Sequence, residues 1–229
     1  ITMQPMILDF SNTTHLINAC SDLVTTLAAD QTLNADTIDS IHEFSNIIKH
    51  TETATLAPDD IHDIGDTGAQ LLRHLFFAIQ QTDKLPLFND IAIAFAYWVA
   101  RHNGTLHQID FTVNAIAQAA NTFHDKVRLE SLYEAVTFII RAVDHNLQDT
   151  LDQGAKSPWQ LLNLNYGIIA TRTHTPELMD SAFSLLLQNI PNDAPGFFQQ
   201  GMGEMIRLNY PEHVQTVMQR YYNQYCHNQ

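Results

Sequence analysis

The segment Ile61-His62-Asp63-Ile64-Gly65 sets an imidazole beside a carboxylate, with Asp59, Asp60 and Asp66 close on either side. Imidazole nitrogen and carboxylate oxygen are ligand types for divalent metals, and a bound metal can activate water. His42 and His50 lie upstream, and Asp125 and Asp144 downstream, as remote groups that could complete such a set. His102 and His107 flank Asn103-Gly104, but no Cys or carboxylate is placed with them in sequence to make four ligands. Twelve His and eighteen Asp in 229 residues give about one His-Asp pair by chance, and there are two, the second being His124-Asp125. The acids around His62 also suit the first turn of a helix, where the macrodipole favours negative charge. The expectation is that His62-Asp63 binds no metal. No G-x-S-x-G, P-loop or Rossmann glycine pattern is present. Cys20 stands near Asp22, and a neighbouring carboxylate makes a thiol a poor nucleophile. No catalytic residue and no cofactor is expected.

The elements that must position these residues are helices. Six of the eight prolines stand just before apolar runs with helical spacing: Pro58, Pro86, Pro158, Pro176, Pro195 and Pro211. Proline suits the first helical turn, where its missing N–H has no partner and its φ is already helical. Ser157 and Thr175 add a side-chain oxygen at the N-cap position. Helical runs are expected at Ser11–Ala29, Asp36–His50, Pro86–His102, Asp110–Phe123 and Lys126–Gln148, the last being the longest. After Pro58, Gly65 and Gly68 suggest a loop before the helical half from Leu71 to Ile79. Four runs follow: Pro158–Thr171, Pro176–Asn189, Pro195–Leu208 and Pro211–Gln224. Residues 1–10 read as an extended lead-in. No strand alternation of useful length appears, so the fold class is all-α, with about nine helices. The chain reads as a single domain over 1–229, with a soft boundary at 149–157.

Charged residues make up only 16%, below the usual quarter, and the net charge is −14. An acidic, lysine-poor surface repels phosphate, which argues against nucleic acid and anionic membrane as partners. A basic peptide or protein face suits it better. No apolar run reaches membrane-spanning length, and no secretory pattern opens the chain at Ile1. Cys20 and Cys226 are far apart and read as free thiols, so a reducing, cytoplasmic setting is expected.

Pro158 to Pro195 is 37 residues and Pro176 to Pro211 is 35, the period of a helix-turn-helix repeat. Trp159, Leu162 and Tyr166 have the W-x2-L-x3-Y spacing of a tetratricopeptide repeat's first helix, and Phe183 and Pro191 stand eight apart as in its second. Over at most the last 70 residues the chain therefore resembles a diverged tetratricopeptide-repeat array. It departs from the pattern in a turn about four residues longer than usual, in Asn163 where a small residue is preferred, and in Gln200 where Leu is wanted. The resemblance implies antiparallel hairpins stacked as a right-handed α-solenoid, Trp159, Leu162 and Phe183 in the core, and a concave surface that binds a protein or peptide. Asn163, Gln199, Gln200 and Glu204 are the expected binding residues, because amides hydrogen-bond a peptide backbone without demanding charge. The glycines Gly196, Gly201 and Gly203 imply close helix packing or close approach of a ligand.

Ile61-His62-Asp63 is also similar to the core of HD-type phosphohydrolases, an all-helical family whose His-Asp dyad, further His and later Asp bind divalent metals. The pattern departs in Asp66, where a lysine commonly follows, and in His42 and His50, which lie closer than that family places its first ligand. A metal-dependent phosphohydrolase centred on His62-Asp63 is the alternative to the interaction reading. A third is a helical domain holding a small apolar ligand between its hairpins.

Overall fold

The computed structural model describes residues 9–29, 33–79, 83–148 and 154–226. Ten α-helices form among them, against the nine or so expected. They are α1 (Thr13–Ala29), α2 (Ala35–Thr51), α3 (Pro58–Ile79), α4 (Leu85–Arg101), α5 (Asp110–Thr122), α6 (Lys126–Ala142), α7 (Pro158–Arg172), α8 (Pro176–Asn189), α9 (Ala194–Arg207) and α10 (Glu212–Tyr225). No strand is present among the described residues, and the fold is all-α. None of these helices is long and apolar enough to cross a membrane.

Local chemistry sets the helix ends. Ser157 and Gln160 form a reciprocal capping box at α7, Ser157 Oγ accepting from Gln160 N–H (3.2 Å) and Gln160 Oε1 from Ser157 N–H (2.8 Å). Thr175 is the N-cap of α8, but its hydroxyl donates to the Thr173 carbonyl rather than capping. At the end of α4 the left-handed residue is Asn103 (φ 61°), not Gly104. Gly104 answers to packing: a Cβ there would lie 2.6 Å from Ile61 Cγ2 and 2.7 Å from Val99 Cγ1.

The chain divides into two compact units, Ile1–Ala119 with Glu134–Asp144, and Ala120–Tyr133 with His145–Gln229. In the first, α1 packs on α2, α2 on α3, α3 on α4, and α1 also on α4, closing a ring of four helices. Helix α4 is buried all round from Ile91 to Val99, as its continuous apolar run requires. Helix α3 is continuous from Pro58, correcting the expected loop. Gly68 serves packing within it, since a Cβ would meet the Phe95 ring at 2.3 Å and the Phe44 ring at 2.8 Å. Helix α6 stops at Ala142 instead of running to Gln148. There the backbone turns to pair with the segment after α4, Leu106 N–H donating to Ala142 O (2.7 Å) and Asp144 N–H to Leu106 O (3.0 Å).

In the second unit, α7 packs on α8 and α9 on α10, while α8 also touches α9 and α10. Three-residue and four-residue connections join the pairs, which makes each pair antiparallel. Trp159, Leu162, Tyr166 and Phe183 are all buried, as their spacing requires. Phe183 is the hub: its ring meets Phe197, Phe198 and Tyr221 at centroid distances of 5.5, 5.3 and 5.0 Å. Residues 149–153 of the expected boundary, and residues 1–8 of the lead-in, lie outside the described residues.

Candidate functional site

A cleft of about 440 Å³ opens in the second unit among α7, α9 and α10. Ile168 of α7, Phe197 and Met205 of α9 and Met218 of α10 line it, with Gln200 and Glu204 among its polar groups. Met205 and Met218 are buried, while Phe197 is half-buried and Ile168 exposed, so the lining runs from the core edge to the surface. Ile168 is 37% exposed and Leu208 51%, so apolar surface continues to the cleft mouth. Burial raises the Tyr210 phenol above its ordinary pKa on the same wall.

The polar groups of the cleft are held, not loose. Arg207 donates from Nε to Glu204 Oε1 (3.1 Å) and from Nη2 to Oε2 (2.5 Å), and these bonds lower the Glu204 pKa. Arg172 turns its guanidinium to the carbonyls of Ala120 and Phe123, at the C-terminal end of α5. Gln199 and Gln200 are exposed, but only Gln200 lines the cleft.

Asn163 corrects the sequence reading. It is 1% exposed and faces the interior, not a concave surface. Its Nδ2 donates to Trp159 O (2.9 Å) and its Oδ1 accepts from Asn189 Nδ2 (2.8 Å), joining α7 to α8. The glycines of α9 also divide. Gly201 is a packing position, where a Cβ would meet Met218 Cε at 2.6 Å, whereas Gly196 and Gly203 have nothing within 4 Å of such a Cβ.

In the first unit the structure gathers a histidine cluster that differs from the dyad. His107 Nδ1 lies 3.0 Å from Asp66 Oδ1, and its Nε2 3.4 Å from Asp144 Oδ2. The His62 ring stands edge-on to His107 at 5.9 Å. Asp63 is exposed and takes no part. The dyad pattern pointed to the wrong neighbour: on a helix His62 shares its face with the residue four positions on, Asp66, and not with the next one. Both His107 nitrogens face carboxylate oxygens, an arrangement for hydrogen bonding rather than metal ligation. Among the described residues no three His, Cys, Asp or Glu side chains converge as metal ligands. Asp60 accepts from Ala57 N–H (3.2 Å) at the start of α3, Asp125 from Arg128 N–H (2.8 Å), and His50 Nδ1 bonds Asn46 O (2.7 Å), all local roles. His102 Nδ1 bonds Trp98 O (2.8 Å), and His102 and His107 share no partner among these bonds.

Neither thiol is set up as a nucleophile. Burial pushes Cys20 up to about 12, and it also raises Cys226, whose Sγ bonds Pro195 O (3.2 Å). Comparison of the chain with protein-family models, with curated proteins and with solved structures gave no significant match.

Proposed function

We propose that this chain is a non-catalytic protein-interaction domain whose C-terminal unit is a diverged tetratricopeptide-like hairpin array, stacked as a right-handed α-solenoid, with a groove for a peptide. The observation that carries this reading is the cleft of about 440 Å³ among α7, α9 and α10, with an apolar floor, Gln200 at its edge and apolar surface continuing to its mouth. Ligand clefts combine such a floor with a few fixed polar groups. The stacking of α8 on both helices of the next hairpin supports the array. The net charge of −14 disfavours nucleic acid as partner, and the free thiols fit a reducing, cytoplasmic setting.

The test is selection of a random peptide display library on the full chain. Peptides that bind should lose about tenfold or more in affinity to the Leu208→Glu and Gln200→Ala double variant, both positions being exposed, while its melting temperature stays unchanged. A selection in which no peptide loses affinity to the variant, or which yields no peptide at all, would overturn the reading.

A further inference from the structure

A second surface, independent of that cleft, lies in the N-terminal unit. Residues Asp39, His42, Glu43, Asn46, Ile47 and His50 of α2 follow the spacing 3, 1, 3, 1, 3 and form one continuous helical face. The opposite face, with Ile41, Phe44 and Ile48, is buried in the ring of helices. The outer face borders a hollow of about 530 Å³, closed on its far side by Ala54, Leu56 and Ile64. Its floor is therefore apolar, and Ile47 is 39% exposed within it. From Asp39 to His50 the hollow follows α2 for roughly 17 Å, about three helical turns.

Its charges are of one sign. Asp39 and Glu43 stand a helical turn apart on its α2 wall, and no Lys or Arg lines it. Neither carboxylate has an ion pair or a side-chain hydrogen bond among the described residues. Elsewhere the chain matches such groups: Asp193 with Lys156, Asp180 with Arg220, Glu204 with Arg207. The exposed acids Asp60 and Asp63 flank Ile64 on α3. We propose that this hollow docks a basic amphipathic helix of a partner protein, its apolar stripe over Ile47, Leu56 and Ile64 and its Lys or Arg residues against Asp39 and Glu43. An apolar groove the length of a few turns accepts a helix in the helix-in-groove mode. The one-sided charge selects the sign of the partner and steers its approach.

The probe is a pair of synthetic amphipathic helices, one with Leu and Lys, the other with Leu and Glu in the same pattern, titrated against the full chain by fluorescence anisotropy. The Leu/Lys helix should bind one per chain, and the Leu/Glu helix should not. Asp39→Asn with Glu43→Gln should weaken binding about 3- to 30-fold at low salt, with the difference shrinking at high salt. Ile47→Ser should weaken it on the order of tenfold at any salt. Glu177→Gln with Glu212→Gln, the same charge change at exposed positions of the other unit, should change nothing. Equal weakening by that control would show diffuse attraction to an acidic protein and overturn the proposal, as would absence of binding or indifference to Ile47→Ser. Sedimentation of the chain alone closes the remaining possibility: self-association abolished by Ile47→Ser would make a second copy the occupant and overturn the proposal too.

Discussion

Replacing Phe183 by Ala tests the hub of the C-terminal unit. The ring is fully buried and sits edge-on to Phe197, Phe198 and Tyr221 at 5.0 to 5.5 Å, so its removal leaves a cavity walled by three other rings. Those rings belong to helices α9 and α10, which cannot close the gap without shifting both. The loss is the transfer energy of the phenyl group plus the cavity term, about 3–5 kcal/mol. Against a typical domain stability of about 5–15 kcal/mol, that is a large fraction. The chain has one tryptophan in each unit, Trp98 and Trp159. In a Trp98→Phe background, urea unfolding followed by fluorescence then reports the C-terminal unit alone through buried Trp159. With a urea dependence of about 1–3 kcal/mol per molar, Phe183→Ala should lower the midpoint by roughly 2 M. Phe183→Leu keeps most of the volume and should cost roughly 1–2 kcal/mol. A midpoint that moves by less than about 0.3 M in Phe183→Ala would refute the placement of α8 against both helices of the following hairpin.

Gly68→Ala should destabilise the N-terminal unit by about 1–3 kcal/mol despite the better helix propensity of Ala, because the new methyl meets the Phe95 and Phe44 rings. Gly203→Ala, in open space on α9, should instead stabilise by about 1 kcal/mol. Thermal melts of the two variants should therefore move in opposite directions. Burial and the hydrogen bond it donates to Glu134 (3.0 Å) push the Tyr97 phenol up to about 12. A folded pKa above the unfolded value of 10 means that Tyr97 favours folding fully below pH 10 and ceases to do so as the pH rises from 10 to about 12. Alkaline unfolding should be shallower over that interval in Tyr97→Phe, and ultraviolet titration should show one late phenol that the variant lacks.

Helix identity was legible because it rests on local rules. Pro158, Pro176, Pro195 and Pro211 mark starts that the structure places within one residue. The misreadings share a cause, which is that the deciding partner is remote in sequence. Gly65 and Gly68 look like loop residues until the Phe95 ring fills the space beside Gly68. The apolar pattern of α6 runs on through Leu147, yet the helix ends where Val143 pairs with Leu106, thirty-seven positions earlier. His107 has no carboxylate beside it in sequence, yet Asp66 and Asp144, from two other segments, both reach its ring. The hollow on α2 had a signal in plain sight, a helical face carrying Asp39, Glu43 and Ile47 together, but only the packing of the opposite face fixes which side is exposed.

Asn163 shows why amide-rich helices mislead. An asparagine at a helical surface position has the groups to bind a peptide backbone, and that made it a candidate groove residue. The same groups can be satisfied inside. One N–H of the amide reaches back to the carbonyl four residues earlier, so burial leaves only the remaining capacity to be met. Asn163 meets it with Asn189, and Asn165 and Thr171 on the same helix make the same backward bonds, to Leu161 O and Gly167 O. Helix α7 can therefore carry Asn163, Asn165 and Thr171 into the interior with each side chain hydrogen-bonded to its own backbone. The Asn163–Asn189 bond between α7 and α8 has a consequence that apolar packing lacks: sliding one helix past the other takes the partner from the buried Asn163 amide oxygen, which costs more than the bond gains. An amide buried in this way fixes the register of α7 against α8, and so how the hairpin that contributes α7 to the cleft is assembled.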